Sequence, residues 1–169
     1  MNKSWRVVTL RAAIVLVLAA SFYATKTFAA EEARFTAPGK NLRALVRRLL
    51  TEEFSRPDST YELVPDPARH ALTAWARIEN SAPRYLFVLP GGGYCGAANC
   101  LILGFRKTAS GWIRVYSQFG GDGIEVLDTS TNGHRDLRQW EGSAGEGMVV
   151  ITSHWSGSAY GKPVIRRTR

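Results

Sequence analysis

The segment VLDTSTNGHRDLRQW, Val126 to Trp140, sets oxygen-bearing side chains at alternating positions and then breaks the pattern with Asn132 and Gly133. Asp128, Ser130, Asn132 and Asp136 fall at positions 1, 3, 5 and 9 of a D-x-S-x-N-G-x-x-D arrangement, with Gly133 at position 6, where a calcium loop turns sharply. Hard cations take oxygen ligands, and the backbone carbonyl of His134 at position 7 would supply one more. Position 12 is Gln139 in place of a bidentate glutamate, so an EF-hand is excluded and a β-hairpin type of calcium loop remains. The competing reading is a plain turn, because Asn-Gly is the leading type I′ hairpin signal and Asp or Ser beside it caps the backbone. Both readings stay open in the sequence.

Other reactive side chains are sparse. The histidines are His70, His134 and His154, and no G-x-S-x-G elbow accompanies them. A hydrolase would therefore have to assemble in three dimensions, with His134 or His154 as its base and an acid to orient the ring. The spacings of the three match no local zinc motif. The glycine run LPGGGYCG lacks the lysine-serine pair and helix start of a phosphate loop. Cys95 and Cys100 have neither the C-x-x-C spacing of redox enzymes nor a neighbouring histidine for zinc. In an oxidising compartment they are expected to pair as a structural disulfide, closing a small ring that contributes about 2 kcal/mol.

These residues need elements to hold them. Leu42, Leu45, Val46, Leu49, Leu50 and Phe54 recur at helical spacing, with Lys40, Arg43, Arg47, Arg48 and Glu52 on the other face. This predicts an amphipathic helix over about 41–55, capped by Asn41 and ending before Pro57. From about 70 to 165 the chain turns to short runs rich in branched and aromatic residues, such as RYLFVLP, CLILGFRK, WIRVYSQF and MVVITSHW, separated by glycine-bearing turns. ALTAWARIE fits either a helix or a strand. The connections TASG (Thr108 to Gly111) and GGDG (Gly120 to Gly123) leave no room for crossover helices, so the strands beside them are expected to pair antiparallel. The expected fold class is α+β: an N-terminal helix packed on an antiparallel sheet of about five to seven strands, with a small β-sandwich or half-barrel as the alternative.

Lys3, Arg6 and Arg11 precede the apolar run Ala12 to Ala24, and Thr27-Phe28-Ala29 offers small residues for cleavage. That pattern predicts a signal peptide over 1–29 and a single globular domain over 30–169, exported to the periplasm or beyond. The run is short against the roughly 20 residues a spanning helix needs, so no stable membrane insertion is expected after cleavage. Loss of the leader removes four of the 22 basic residues and none of the 14 acidic ones, and the net charge falls from +8 to +4. No arginine-rich stripe interleaved with aromatics marks a nucleic-acid binder.

The combination C-G-x3-C before an apolar strand (Cys95, Gly96, Cys100), V-L-x-T-x-T-N-G-x-R-D-L (Val126 to Leu137) and W-x-G-x-x-Y (Trp155, Gly157, Tyr160) resembles a group of small exported bacterial proteins of unassigned function, over about residues 84–162. The resemblance implies a disulfide-pinned antiparallel sheet in the periplasm, and no activity. The expected function is a non-enzymatic periplasmic binding or inhibitor-like module, stabilised by calcium if the loop binds it. Its rigid loops, around Gly91 to Asn99 and Thr129 to Arg135, would meet a periplasmic protein or a cell-wall polymer. The periplasmic hydrolase with a histidine base is the alternative.

Overall fold

The computed structural model describes residues 29–79, 84–96, 99–143 and 147–168. The leader expected over 1–29 lies, through residue 28, outside the described residues. One helix, α1 (Lys40–Phe54), precedes most of the strands, which run β1 (Glu31–Glu32), β2 (Leu72–Arg77), β3 (Arg84–Leu89), β4 (Cys100–Thr108), β5 (Gly111–Gly120), β6 (Glu125–Thr131), β7 (His134–Ser143), β8 (Gly147–Ser153) and β9 (Val164–Thr168). They form two antiparallel sheets, one of four strands ordered β2-β3-β4-β5 and one of five ordered β1-β6-β7-β8-β9. The described chain is thus mostly antiparallel sheet with one helix; its strands divide between two sheets, which fits the small β-sandwich held as the alternative as well as a helix on antiparallel sheet, and differs from a single sheet of five to seven strands.

Two apolar clusters order these parts into layers. Val46, Leu49, Leu50 and Phe54 of α1 pack with Leu86, Val88, Leu101, Leu103 and Phe105 of the four-stranded sheet. Each such side chain contributes about 1.5–3 kcal/mol when fully buried. The other face of that sheet, through Ala74, Ala76, Tyr85, Phe87, Ile102 and Tyr116, meets Val126 and Leu137 of the five-stranded sheet. The helix has Gly39 as its N-cap, in extended backbone and without a side-chain bond. Asn41 lies inside the first turn and caps nothing, because Pro38-Gly39 already breaks the chain one residue ahead of α1.

The ambiguous ALTAWARIE becomes strand β2, where Ala74 and Ala76 turn into the core and Trp75 and Arg77 turn out. The TASG connection makes the expected hairpin, with Thr108 opposite Gly111. GGDG does not. Strand β5 closes one sheet and β6 belongs to the other, so the two neighbours in sequence are not paired. The physical reason lies in what the turn meets: the Gly121 N–H donates to Trp140 O at 2.6 Å, and Ile124 is completely buried, which draws the chain across to the second sheet. A Cβ at Gly121 would stand 2.3 Å from that carbonyl, so only glycine lets the backbones approach this closely. Cys95 and Cys100 form a disulfide across an isolated antiparallel bridge.

Candidate functional site

The hairpin β6-β7 turns at Asn132 and Gly133, both at positive φ (52° and 79°), the backbone of a type I′ turn. Asp128 and Ser130 are exposed on its first strand, and the exposed Asn132 donates through Nδ2 to Trp155 O at 3.1 Å. Asp136 behaves differently. It is 3% exposed, and its Oδ2 accepts from Thr129 Oγ1 at 2.8 Å. Its Oδ1 lies 3.0 Å from His154 Nδ1. Among the described residues no group of three His, Cys, Asp or Glu side chains is placed to hold a metal ion.

His134, expected to act through its backbone carbonyl, is instead engaged through its ring. Nδ1 lies 3.1 Å from Asn132 O, Nε2 lies 3.1 Å from Glu79 Oε1, and the ring stacks on Trp155 at 3.8 Å. Since a carbonyl only accepts, the Asn132 contact assigns a proton to Nδ1. Arg106 sits over the same Trp155 ring at 5.5 Å and 3.5 Å from Glu79 Oε1. Burial would raise the Glu79 carboxyl, but the Tyr85 hydroxyl donating to it, with the His134 and Arg106 charges, holds it below its ordinary range. His134 is thus held by Asn132 O, the Glu79 carboxylate and the Trp155 ring, and the cluster fastens the hairpin to the end of β2.

His154 differs in having one nitrogen held and the ring in water. Nδ1 faces Asp136 and lies 3.3 Å from Thr131 Oγ1, while the side chain is 43% exposed. A carboxylate behind an exposed imidazole is how a base is oriented. Ser156, two residues further on, donates its hydroxyl to Ala159 O at 2.7 Å. Arg135 is a structural clamp: its guanidinium donates to the carbonyls of Leu127, Val126 and Ala29 at 2.6, 2.9 and 2.7 Å, and it pairs with Glu31.

A second constellation lies on the helix-facing side of the four-stranded sheet, beyond the end that α1 covers. Alternation puts Trp75 and Arg77 on one face of β2, Arg84 with Leu86 on β3, and Phe105 with Lys107 on β4. Arg77 stands opposite Arg84 in register, and Lys107 opposite Trp112 of β5. Leu86 and Phe105 are buried under α1, whereas Arg77, Arg84 and Lys107 are exposed and Trp75 is 43% exposed. Trp75 and Trp112 approach to 6.1 Å between ring centroids, inclined at 53°.

Clefts open at both ends of this tryptophan pair. One, of about 370 Å³, is lined by Trp75, Arg77, Arg84, Glu31 and Arg135. The other, of about 350 Å³, includes Trp112, Glu53, Arg56 and Arg114. Glu53 is buried in the second cleft and pairs with both arginines, so that end is electrically closed. Among the described residues no acidic side chain pairs with Arg77, Arg84 or Lys107. Sequence reasoning singled out none of these three cations. The available signal was the alternation in ALTAWAR, which turns Trp75 and Arg77 to the same side once the segment is taken as a strand.

The loop Gly91 to Asn99 carries the turn Gly92–Tyr94 and the disulfide, with residues 97 and 98 outside the described residues. Comparison with protein-family models, with curated proteins and with solved structures finds no match to this chain.

Proposed function

We propose that the protein is a non-enzymatic, exported binding module that holds an anionic partner on the sheet face carrying Arg77, Arg84, Lys107, Trp75 and Trp112. One observation carries this reading: three exposed cations on one sheet face lack an acidic partner among the described residues, and two of them face each other in register. Like charges directly opposite across strands are destabilising. An anion between the two guanidiniums removes that repulsion, and arginine forks match carboxylate and phosphate geometry. Such a face holds a ligand without chemistry on it. The disulfide suits an oxidising compartment, which agrees with export. The surface lies on strands, so the reading does not depend on the hairpin loop binding calcium.

Calorimetric titration with sulfated dextran and with uncharged dextran tests the proposal. Binding is expected for the sulfated polymer alone, weakening with salt as surface charges are screened. The combined Arg77→Ala, Arg84→Ala and Lys107→Ala variant should bind at least about tenfold more weakly. A control removing the same charge elsewhere, Lys40→Ala with Arg43→Ala and Arg166→Ala, should keep most of the affinity. Equal loss in both variants would reduce the interaction to net charge and overturn the site.

A further inference from the structure

We infer that the ligand of this face is an acidic polysaccharide whose sugar rings lie on Trp75 and Trp112; the inference rests on the anion-binding reading above. The cations and the aromatics are not mixed evenly. Trp75 lines the same cleft as Arg77 and Arg84, Trp75 touches Trp112, and Trp112 lines the cleft that ends at Glu53, Arg56 and Arg114. The two clefts are thereby joined through an aromatic floor. Four strands at the usual spacing make the platform about 14 Å wide, the length of a short oligosaccharide.

The ligand that fits must be extended, must carry acid groups at intervals, and must present flat apolar faces between them. A polymer of uronic acids has all three. Each pyranose ring offers a face of C–H bonds to an indole, its carboxylate reaches Arg77, Arg84 or Lys107, and its hydroxyls meet polar groups at the edge. Inclination of the two indoles by 53° suits successive rings of a chain that turns about each glycosidic bond. Polyphosphate has charge throughout and no apolar face, so Trp75 and Trp112 would add nothing to its binding. An acidic peptide reaches the arginines on flexible stems and gains no ring stacking. The indoles stand on strands, with Lys107 and Trp112 paired near the β4-β5 hairpin, so little ordering is needed when a ligand arrives.

The test is a titration of the intact chain with trigalacturonate, its methyl ester, polyglutamate and single-stranded DNA, read by tryptophan fluorescence and calorimetry. Trigalacturonate is expected to bind and to change the fluorescence, and esterification should weaken it about tenfold or more. Trp75→Ala and Trp112→Ala should each lose most of the trigalacturonate affinity, with Trp75→Phe restoring part of it. Trp75 is exposed enough for its truncation to leave the core intact, which circular dichroism checks. If sulfated dextran binds through the three cations while trigalacturonate is no better than polyglutamate and is indifferent to the tryptophan variants, the polysaccharide inference falls and the anion-binding reading stands. Preference for polyglutamate or DNA assigns the face to another ligand class and overturns the inference. If no anion binds, both fall.

Discussion

Asp136 and Asp128 belong to the same candidate loop and stand under different physical constraints. Asp128 faces water, and its replacement should change stability by no more than about 0.5 kcal/mol. Asp136 is buried, with the Thr129 hydroxyl donating to one oxygen and the His154 ring beside the other. Removing the carboxylate takes a charged acceptor from the Thr129 hydroxyl and empties a buried site, and Asp136→Ala should cost about 2 kcal/mol. Thermal unfolding of both variants with excess calcium and with chelator separates the two accounts of VLDTSTNGHRDLRQW. A structural Asp136 lowers the melting temperature equally in both conditions, and Asp128→Ala is silent. A calcium-dependent rise in the parent, lost in both variants, would instead make the loop a cation site. The alternation of oxygens in this stretch was legible in the sequence. The partners of Asp136 were not, because His154 approaches from beyond the end of β8, and no local pattern announces a contact made across strands.

At the level of elements, the β6-β7 hairpin and the β4-β5 pair depend on glycine for different reasons. Gly133 stands at φ 79° with open space around the position of a Cβ, so Gly133→Ala pays only for left-handed backbone, about 1 kcal/mol. Gly104 sits where β4 and β5 slip register, and a Cβ there would come within 2.7 Å of Tyr116 Cβ and 2.9 Å of Phe87 Cε1. Gly104→Ala therefore overpacks the core, at about 1–3 kcal/mol. Urea unfolding should rank Gly104→Ala as the more damaging, and the opposite order would mean that Tyr116 and Phe87 yield easily. The first of these glycines was readable, since Asn-Gly between two strand-like runs is a local signal. The second was not: in CLILGFRK it is one small residue in an apolar run, and its constraint comes from side chains on β3 and β5. The same distinction explains GGDG. Its glycines announce a turn, but whether the chain then pairs back or crosses to another sheet is decided by Ile124 and by Trp140 O, neither of which the turn itself encodes.

Across the whole molecule, the space between the sheets holds three tyrosines whose hydroxyls all donate inward. Tyr116 gives its proton to Gln139 Oε1 at 2.5 Å, Tyr160 to Arg135 O at 2.6 Å, and Tyr85 to the Glu79 carboxylate. Burial raises the ionisation of each far above the ordinary phenol value of 10.0; Glu79 raises Tyr85 further, and Tyr85, Asp136 and Tyr116 add to the shift of Tyr160. Ionisation in place would also convert each donor into a buried anion facing an acceptor. The sign follows from the raised folded values. Below pH 10 the folded and unfolded chains keep these protons equally, and stability does not depend on them. Above pH 10 the unfolded chain releases them and the folded chain does not, so stability is lost as pH rises, by about 4 kcal/mol per pH unit for three groups. A domain of this size has about 5–15 kcal/mol to lose. Alkaline titration should therefore show tyrosinate absorbance for these three rising in one cooperative step together with loss of the circular dichroism signal. Tyr116→Phe, which removes one proton from the linkage, should make the stability fall less steeply above pH 10. Gradual tyrosinate formation near pH 10 with the sheets intact would show instead that the space between them admits water, and that the sheet packing that positions Trp75 and the cations is looser than the contacts require.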